Sequence, residues 1–166
     1  LDAAADKDNA VCPVFYDGSE GSDGLVQPWA VPGAGVWVNP PYEDCGSWVV
    51  KACEEVLLHE NCARAVLLVP AAVGVAWFTR ACRLAEVFLF DERIRFGLPP
   101  KEELPDNLQK KLYKQNRKGA WVPKTSPGGG NALVVVEIGR RVGVTGMRDS
   151  KTGVLVQDFA EVRRVQ

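Results

Sequence analysis

The stretch RAVLLVP, Arg64–Pro70, restricts the fold of this chain more than any other. A continuous apolar run of this kind is the signature of a strand covered on both faces. Helical patterns stand on either side of it. SWVVKACEEVLLHE (Ser47–Glu60) places Val49, Cys53, Val56 and Leu57 on one face, with Ser47 or Asp44 as the N-cap. VAWFTRACRLA (Val75–Ala85) suits a short helix. Further apolar runs at Val36–Val38, Glu86–Phe90 and Asn131–Gly139 read as strands, and Arg93–Phe96 alternates as a strand extension. Strand, helix, strand, helix, strand predicts an α/β sandwich with a mostly parallel sheet. In such sheets ligands sit beyond the carboxyl ends of the strands.

The rest of the chain is less regular. Leu1–Asp2 reads as a strand end, Val14–Tyr16 as a short strand, and Asp17–Trp29 as a loop rich in glycine and acid. Because the sequence opens at Leu1 in mid-strand, an upstream element is expected. Leu98–Gly130 has no strand character and holds Lys101, Lys110, Lys111, Lys114, Arg117, Lys118 and Lys124. Helical spacing there turns Leu108 and Leu112 inward, and SPGGGN closes the segment as a hinge or turn. Arg140–Gln166 reads as weak strands or a hairpin.

Composition narrows the function. With 46% hydrophobic and 25% charged residues, the 166-residue chain is an ordinary globular domain. No apolar run approaches the roughly 18 residues of a membrane helix, so no membrane role is expected. Five cysteines without a CxxC pair, and the single His59, argue against a metal centre and for a reducing, intracellular setting. His59 falls near a helix end, where the dipole favours a cation, and reads as structural. A net charge of −1 means that any nucleic-acid contact comes from a local patch.

The strand at Val36–Val38 stops at NPPY, Asn39–Tyr42, because proline cannot donate to a ladder. Asn39, preceding proline, is biased to extended geometry, and Pro40 and Pro41 set the directions of their carbonyls. Tyr42 adds a flat face. Oriented acceptors plus a stacking ring suit a planar group that bears an NH₂. Methyl transfer to such an amine builds positive charge on nitrogen, which acceptors aimed at its hydrogens stabilise. The ring stacks on the base that carries the amine once that base has left its duplex.

The joint order LDAAADKDNAVCPVFY, SDGLVQPWA, VWVNPPYEDCGSWVVKACEE, AVLLVPAAVGVAWF, EVFLFDERIRF and GGGNALVVV resembles the phage-type DNA N6-adenine methyltransferases, over roughly Leu1 to Val136. The resemblance implies a class I methyltransferase (Rossmann-like) three-layer α/β/α sandwich. It also implies S-adenosyl-L-methionine as cofactor and adenine in DNA as substrate. Asn39, Pro40, Pro41 and Tyr42 then form the catalytic motif. Asp2, Ala3 and Ala4 take the place of the first cofactor loop, and Asp23 the acidic position at the cofactor's adenine end. The glycine-rich first loop of larger methyltransferases is replaced by DAAA, whose small alanines still allow close backbone approach.

Residues 1–139 are expected to form the catalytic domain with a basic insert at 98–130, and 140–166 a C-terminal extension packed on it. Lys110, Lys111, Lys114, Arg117 and Lys118 are the expected phosphate contacts. Two other functions share these features. A protein glutamine N5-methyltransferase faces the same acceptor problem with an amide. A methyltransferase-like nucleic-acid-binding subunit would keep the fold without turnover.

Overall fold

The computed structural model describes residues 1–92, 94, 100–123, 130–140, 143–148, 151–152 and 154–158. In chain order the elements are β1 (Val31–Val38), α1 (Cys45–Cys53), β2 (Cys62–Pro70), α2 (Ala76–Leu84), β3 (Glu86–Phe90) and α3 (Asp106–Leu112). They continue with β4 (Tyr113–Gln115), β5 (Trp121–Pro123), β6 (Asn131–Glu137), β7 (Gly143–Arg148) and β8 (Leu155–Asp158). Two compact units result, Leu1–Arg93 with Gly129–Gln166, and Ile94–Gly128. Among the described residues no helix is long and apolar enough to cross a membrane.

The first unit is a six-stranded sheet in the order β1-β2-β6-β3-β7-β8. Pairs β1–β2 and β3–β7 are parallel, whereas β6 runs against both of its neighbours and β8 against β7. Four of the six strands therefore share one direction, and the α/β sheet is mixed. The expectation of strands at these runs holds, but the sense of β6 is new. The chain leaves β3 at its carboxyl end and re-enters at that same end, where the Ala71 N–H donates to the Gly130 carbonyl at 2.8 Å. A strand entered from the end at which its neighbour was left must run antiparallel to it.

Strand register lines up one side-chain row across the sheet. Val38 lies beside Leu67, Leu67 beside Val134, and Val134 beside Val87, and all four are fully buried. Val36, Ala65, Val69, Ala132 and Val136 share that face, and Val49 and Ala52 of α1, Val56 just after it, and Phe78 and Ala81 of α2 belong to the same cluster. Each such valine contributes on the order of 1.5–2 kcal/mol by leaving water. The opposite face is also apolar, with Leu68, Val135 and Phe88 buried and the Arg148 guanidinium 4.4 Å from the Phe88 ring centroid. RAVLLVP thus lies in the sheet interior, as its composition requires.

Helix α1 begins two residues earlier than Ser47 and gives way to a π-helical turn at Glu54–Leu58. Asp44 occupies the N-cap position without a capping hydrogen bond, and its carboxylate instead accepts from the Ser47 hydroxyl at 2.7 Å. The wide turn buries Glu55 together with Val56, while Leu57 is only half-buried. Lys51, Asn61 and the Trp29 N–H all donate to the Glu55 carboxylate, at 2.6, 2.8 and 2.9 Å. At the opposite end of the sheet from the strand carboxyl ends, buried Glu86 holds Arg140 and the Thr145 hydroxyl.

The second unit departs from expectation. Helix α3 stops at Leu112, and Tyr113–Gln115 pairs antiparallel with Trp121–Pro123 as a hairpin. Asn116 makes the turn, its side-chain oxygen accepting from the Lys118 and Ala120 N–H groups at 2.9 and 3.0 Å. Gly119 takes φ +77°, a left-handed geometry that a side chain would oppose. Lys101 lies 4.4 Å from the Trp121 ring centroid, a cation–π contact. The expected strand at Arg93–Phe96, apart from Ile94, lies outside the described residues, as do Lys124 and most of SPGGGN.

Candidate active site

Three chain segments end side by side at one edge of the sheet. Leu1–Ala3 is parallel to β1, with the Ala3 N–H donating to the Trp37 carbonyl and the Trp37 N–H to the Leu1 carbonyl, both at 2.9 Å. Val14–Tyr16 is parallel to it on the other side, through Asp2 N–H to Val14 O at 3.0 Å and Tyr16 N–H to Asp2 O at 2.9 Å. The carboxyl ends of these segments release three loops: Ala3–Ala5, Asp17–Gly24 and NPPY. A pocket of about 140 Å³ lies among them, lined by Ala3, Ala4, Tyr16, Asp17, Asp23 and Pro41, with Trp48 and Gly24 as its wall.

The wall of the pocket is tightly packed at Gly24. A Cβ on Gly24 would stand 2.0 Å from the Ala3 carbonyl oxygen and 3.0 Å from the Trp48 ring, so glycine is required there. The Trp29 indole donates to the Gly24 carbonyl at 2.8 Å and fixes this close approach. Asp23 anchors the following turn, its carboxylate accepting from the Leu25 N–H at 2.9 Å. Asp17 accepts from the Ser19 hydroxyl at 2.6 Å and the Ser19 N–H at 3.1 Å. These hydrogen bonds, with Ser22 next, hold its carboxyl below the usual carboxylate range.

The expected site residues divide here. Ala3, Ala4, Asp23 and Pro41 converge on the pocket. Asp2 does not line it. Its carboxylate is buried and accepts from the Ala4 and Val11 N–H groups at 3.4 and 3.1 Å, which shapes the first loop from behind. Lys110, Lys114, Arg117 and Lys118 are exposed on α3 and the hairpin of the second unit, and Lys111 is on α3 with its side chain outside the described residues.

Within NPPY the local geometry refines the acceptor set. Asn39 is exposed and Pro40 buried, and Tyr42–Asp44 form a 3₁₀ turn leading into α1. The Pro41 carbonyl is already engaged, accepting from the Asp44 N–H at 3.2 Å and the Cys45 thiol at 3.9 Å. Burial, aided by the Asp44 charge, pushes the Cys45 thiol up to about 11, so it stays protonated and able to donate. The Asn39 side chain has no hydrogen-bond partner among the described residues. The Pro41 carbonyl is thus not the free acceptor that the sequence suggested.

Residues 1–125, which include all three loops, match the family model described as DNA N-6-adenine-methyltransferase (Dam). The chain belongs to the Dam family. A DNA N-6-adenine-methyltransferase of Escherichia phage T1 is 38% identical over 92 residues, which is 55% of this chain and 36% of the phage protein. The matched part thus spans about a third of that Dam relative's length. No solved structure matches the chain.

Two further residues lie at this candidate site of the Dam-family chain: Asp17 lines the pocket and Asn131 contacts Tyr42. Asp17 could have been found as an acid directly after the short strand Val14–Tyr16. Asn131 had no such signal. It lies in β6, outside the matched Dam segment, and its Nδ2 donates to the Tyr42 hydroxyl at 3.2 Å.

Proposed function

We propose that the protein transfers a methyl group from S-adenosyl-L-methionine to the exocyclic N6 of adenine in DNA. The observation that carries this is the convergence of Ala3, Ala4, Asp23 and Pro41 on one pocket in a Dam-family chain, with the rest of NPPY adjoining Pro41. The mixed sheet with α1 and α2 on one face supports an α/β architecture and would supply one helical layer of a class I methyltransferase sandwich.

The pocket fits part of the cofactor. Its volume is below the roughly 300 Å³ at which ordinary ligand pockets begin, so it seats one portion of a nucleoside-sized molecule. Ala3, Ala4 and Gly24 let backbone approach closely, and Asp17 and Asp23 offer carboxylates that accept from hydroxyl or amine hydrogens. When bound, S-adenosyl-L-methionine supplies an electrophilic methyl group.

The chain's own residues handle the amine. Asn39 Oδ1 and the Pro40 carbonyl accept its two hydrogens, draw the nitrogen lone pair out of conjugation and stabilise the charge that grows on nitrogen. Tyr42, 41% exposed, offers a ring face to the flipped base. Lys110, Lys111, Lys114, Arg117 and Lys118 contact DNA phosphates. Such a reaction takes place inside the cell, where DNA and cofactor are available.

The test is mass analysis of nucleosides after incubation of the protein with mixed-sequence DNA and labelled cofactor. Labelled N6-methyl-2′-deoxyadenosine is the expected product. Label in protein glutamine instead would support the N5-methyltransferase reading. DNA binding without any product would leave a non-catalytic subunit.

A further inference from the structure

We infer that Asn131 is a positioning residue for methyl transfer, acting by holding the Tyr42 ring in place before the target base arrives. The inference rests on the reading of NPPY as the amine-holding motif. Asn131 opens β6, followed by Ala-Leu-Val-Val-Val, and is only 4% exposed. Asparagine is a poor strand residue, and a buried amide is costly unless its donors are used. This local exception has a visible use, since its Nδ2 donates to the Tyr42 hydroxyl at 3.2 Å.

Both ends of the tyrosine are therefore held. At the backbone end, the Pro41 carbonyl accepts from the Asp44 N–H at 3.2 Å and the Tyr42 carbonyl from the Cys45 thiol at 3.6 Å. At the far end the hydroxyl meets an amide whose own backbone is locked beside Pro70 in the β2–β6 ladder. Between these anchors the residue keeps 41% of its surface exposed. A ring tethered at its tip keeps one orientation while leaving a face open, so a base that stacks on it orders no additional rotamer. Without the tether the ring retains its area but samples other orientations, and fewer encounters place the amine against Asn39 and Pro40.

The experiment is a double-mutant cycle on methylation of adenine in duplex DNA, with Asn131→Ala, Tyr42→Phe and the double variant. Each single change should lower kcat about three- to tenfold, the effect of one hydrogen bond, with the KM for the cofactor unchanged. The double variant should be no slower than the slower single one, because both remove the same hydrogen bond. The fluorescence of 2-aminopurine held at the target of a duplex should differ between complexes of the parental protein and of either single variant, because the ring on which it stacks is less fixed in the variants.

Asn131→Val, which suits a strand and keeps the site apolar, serves if Asn131→Ala does not fold, and should show the same loss. Multiplicative losses in the double variant, or a parental rate in Asn131→Val, would overturn the positioning role while the methyl-transfer reading stands. Absence of N6-methyladenine from the parental reaction would overturn that reading, and the positioning role with it.

Discussion

The Tyr42 hydroxyl and the Asn131 amide meet at 3.2 Å although 89 residues separate them in the chain. They meet because β6 is antiparallel to β2 and β3. An antiparallel strand begins at the end where its parallel neighbours finish, so its first side chain can serve the same site. A parallel β6 would have put its last residue there instead, and Asn131 would lie at the opposite end of the sheet beside Glu86.

Asn39→Ala should lower methyl transfer by about 10²–10³ with little change in melting temperature. The loss is that of one oriented acceptor from a preorganised site. Stability should hold because Asn39 is exposed and its side chain has no partner among the described residues. Steady-state rates and thermal melts on the same preparation check both halves. A parental rate would reduce NPPY to a strand exit.

Asp2→Ala and Asp23→Ala should differ in kind. Removing the buried Asp2 carboxylate strands the Ala4 and Val11 N–H groups and should cost about 1–3 kcal/mol of stability. Asp23→Ala, at the pocket itself, should chiefly raise the cofactor Kd. Denaturant melts and calorimetry with S-adenosyl-L-methionine separate the two. An Asp2→Ala protein of parental stability with weakened cofactor binding would place Asp2 in contact with the cofactor.

Glu55 should make stability depend on acidity. Burial by itself raises its pKa, but hydrogen bonds from Lys51, Asn61 and the Trp29 N–H outweigh that, and the net shift is downward from 4.5. A lowered folded-state pKa stabilises the fold above the unfolded value, and the gain is lost as pH falls through the folded value. Glu55→Ala should cost about 3 kcal/mol at neutral pH, since Lys51 and the Trp29 N–H lose a buried partner. The difference from the parent should shrink below pH 4.5. A gap that is flat from pH 7 to pH 3 would show that the carboxylate charge is not what stabilises this corner.

Lys114→Gln, Arg117→Gln and Lys118→Gln together should flatten the salt dependence of DNA binding by about 0.9 logarithmic units of slope for each phosphate no longer neutralised. All three cations are exposed on β4 and its turn. Cofactor affinity should not move. Titrations at several salt concentrations measure the slope, and an unchanged slope would assign the hairpin cations to solvent.

Much of the candidate site was legible in the sequence. Pro40 and Pro41 after Val36–Val38 mark a strand end whatever the context, since neither can donate to a ladder. The small residues of DAAA and the glycine of Asp-Gly-Leu were visible too, although the 2.0 Å conflict that a Gly24 Cβ would meet needed Ala3 beside it. The place of Asp2 behind the loop was not legible, because an acid in a candidate cofactor loop looks the same from sequence whether it faces ligand or backbone. The hairpin was missed for a different reason. Leu108 and Leu112 carry a helical spacing up to the end of α3, and three-residue strands are too short to show a period of their own. The turn signal was present in Asn116 and Gly119.

Local chemistry therefore dictated the main strands and helices of the sheet unit, where β1 must end, and which residues follow it. Those properties come from a residue and its near neighbours: a missing N–H, a fixed φ, or an apolar run too long to leave in water. The sense of β6, the burial of Asp2 and the meeting of Tyr42 with Asn131 came only with the tertiary structure. The same side-chain pattern serves a parallel or an antiparallel strand, and the end from which the chain re-enters the sheet settles which one forms.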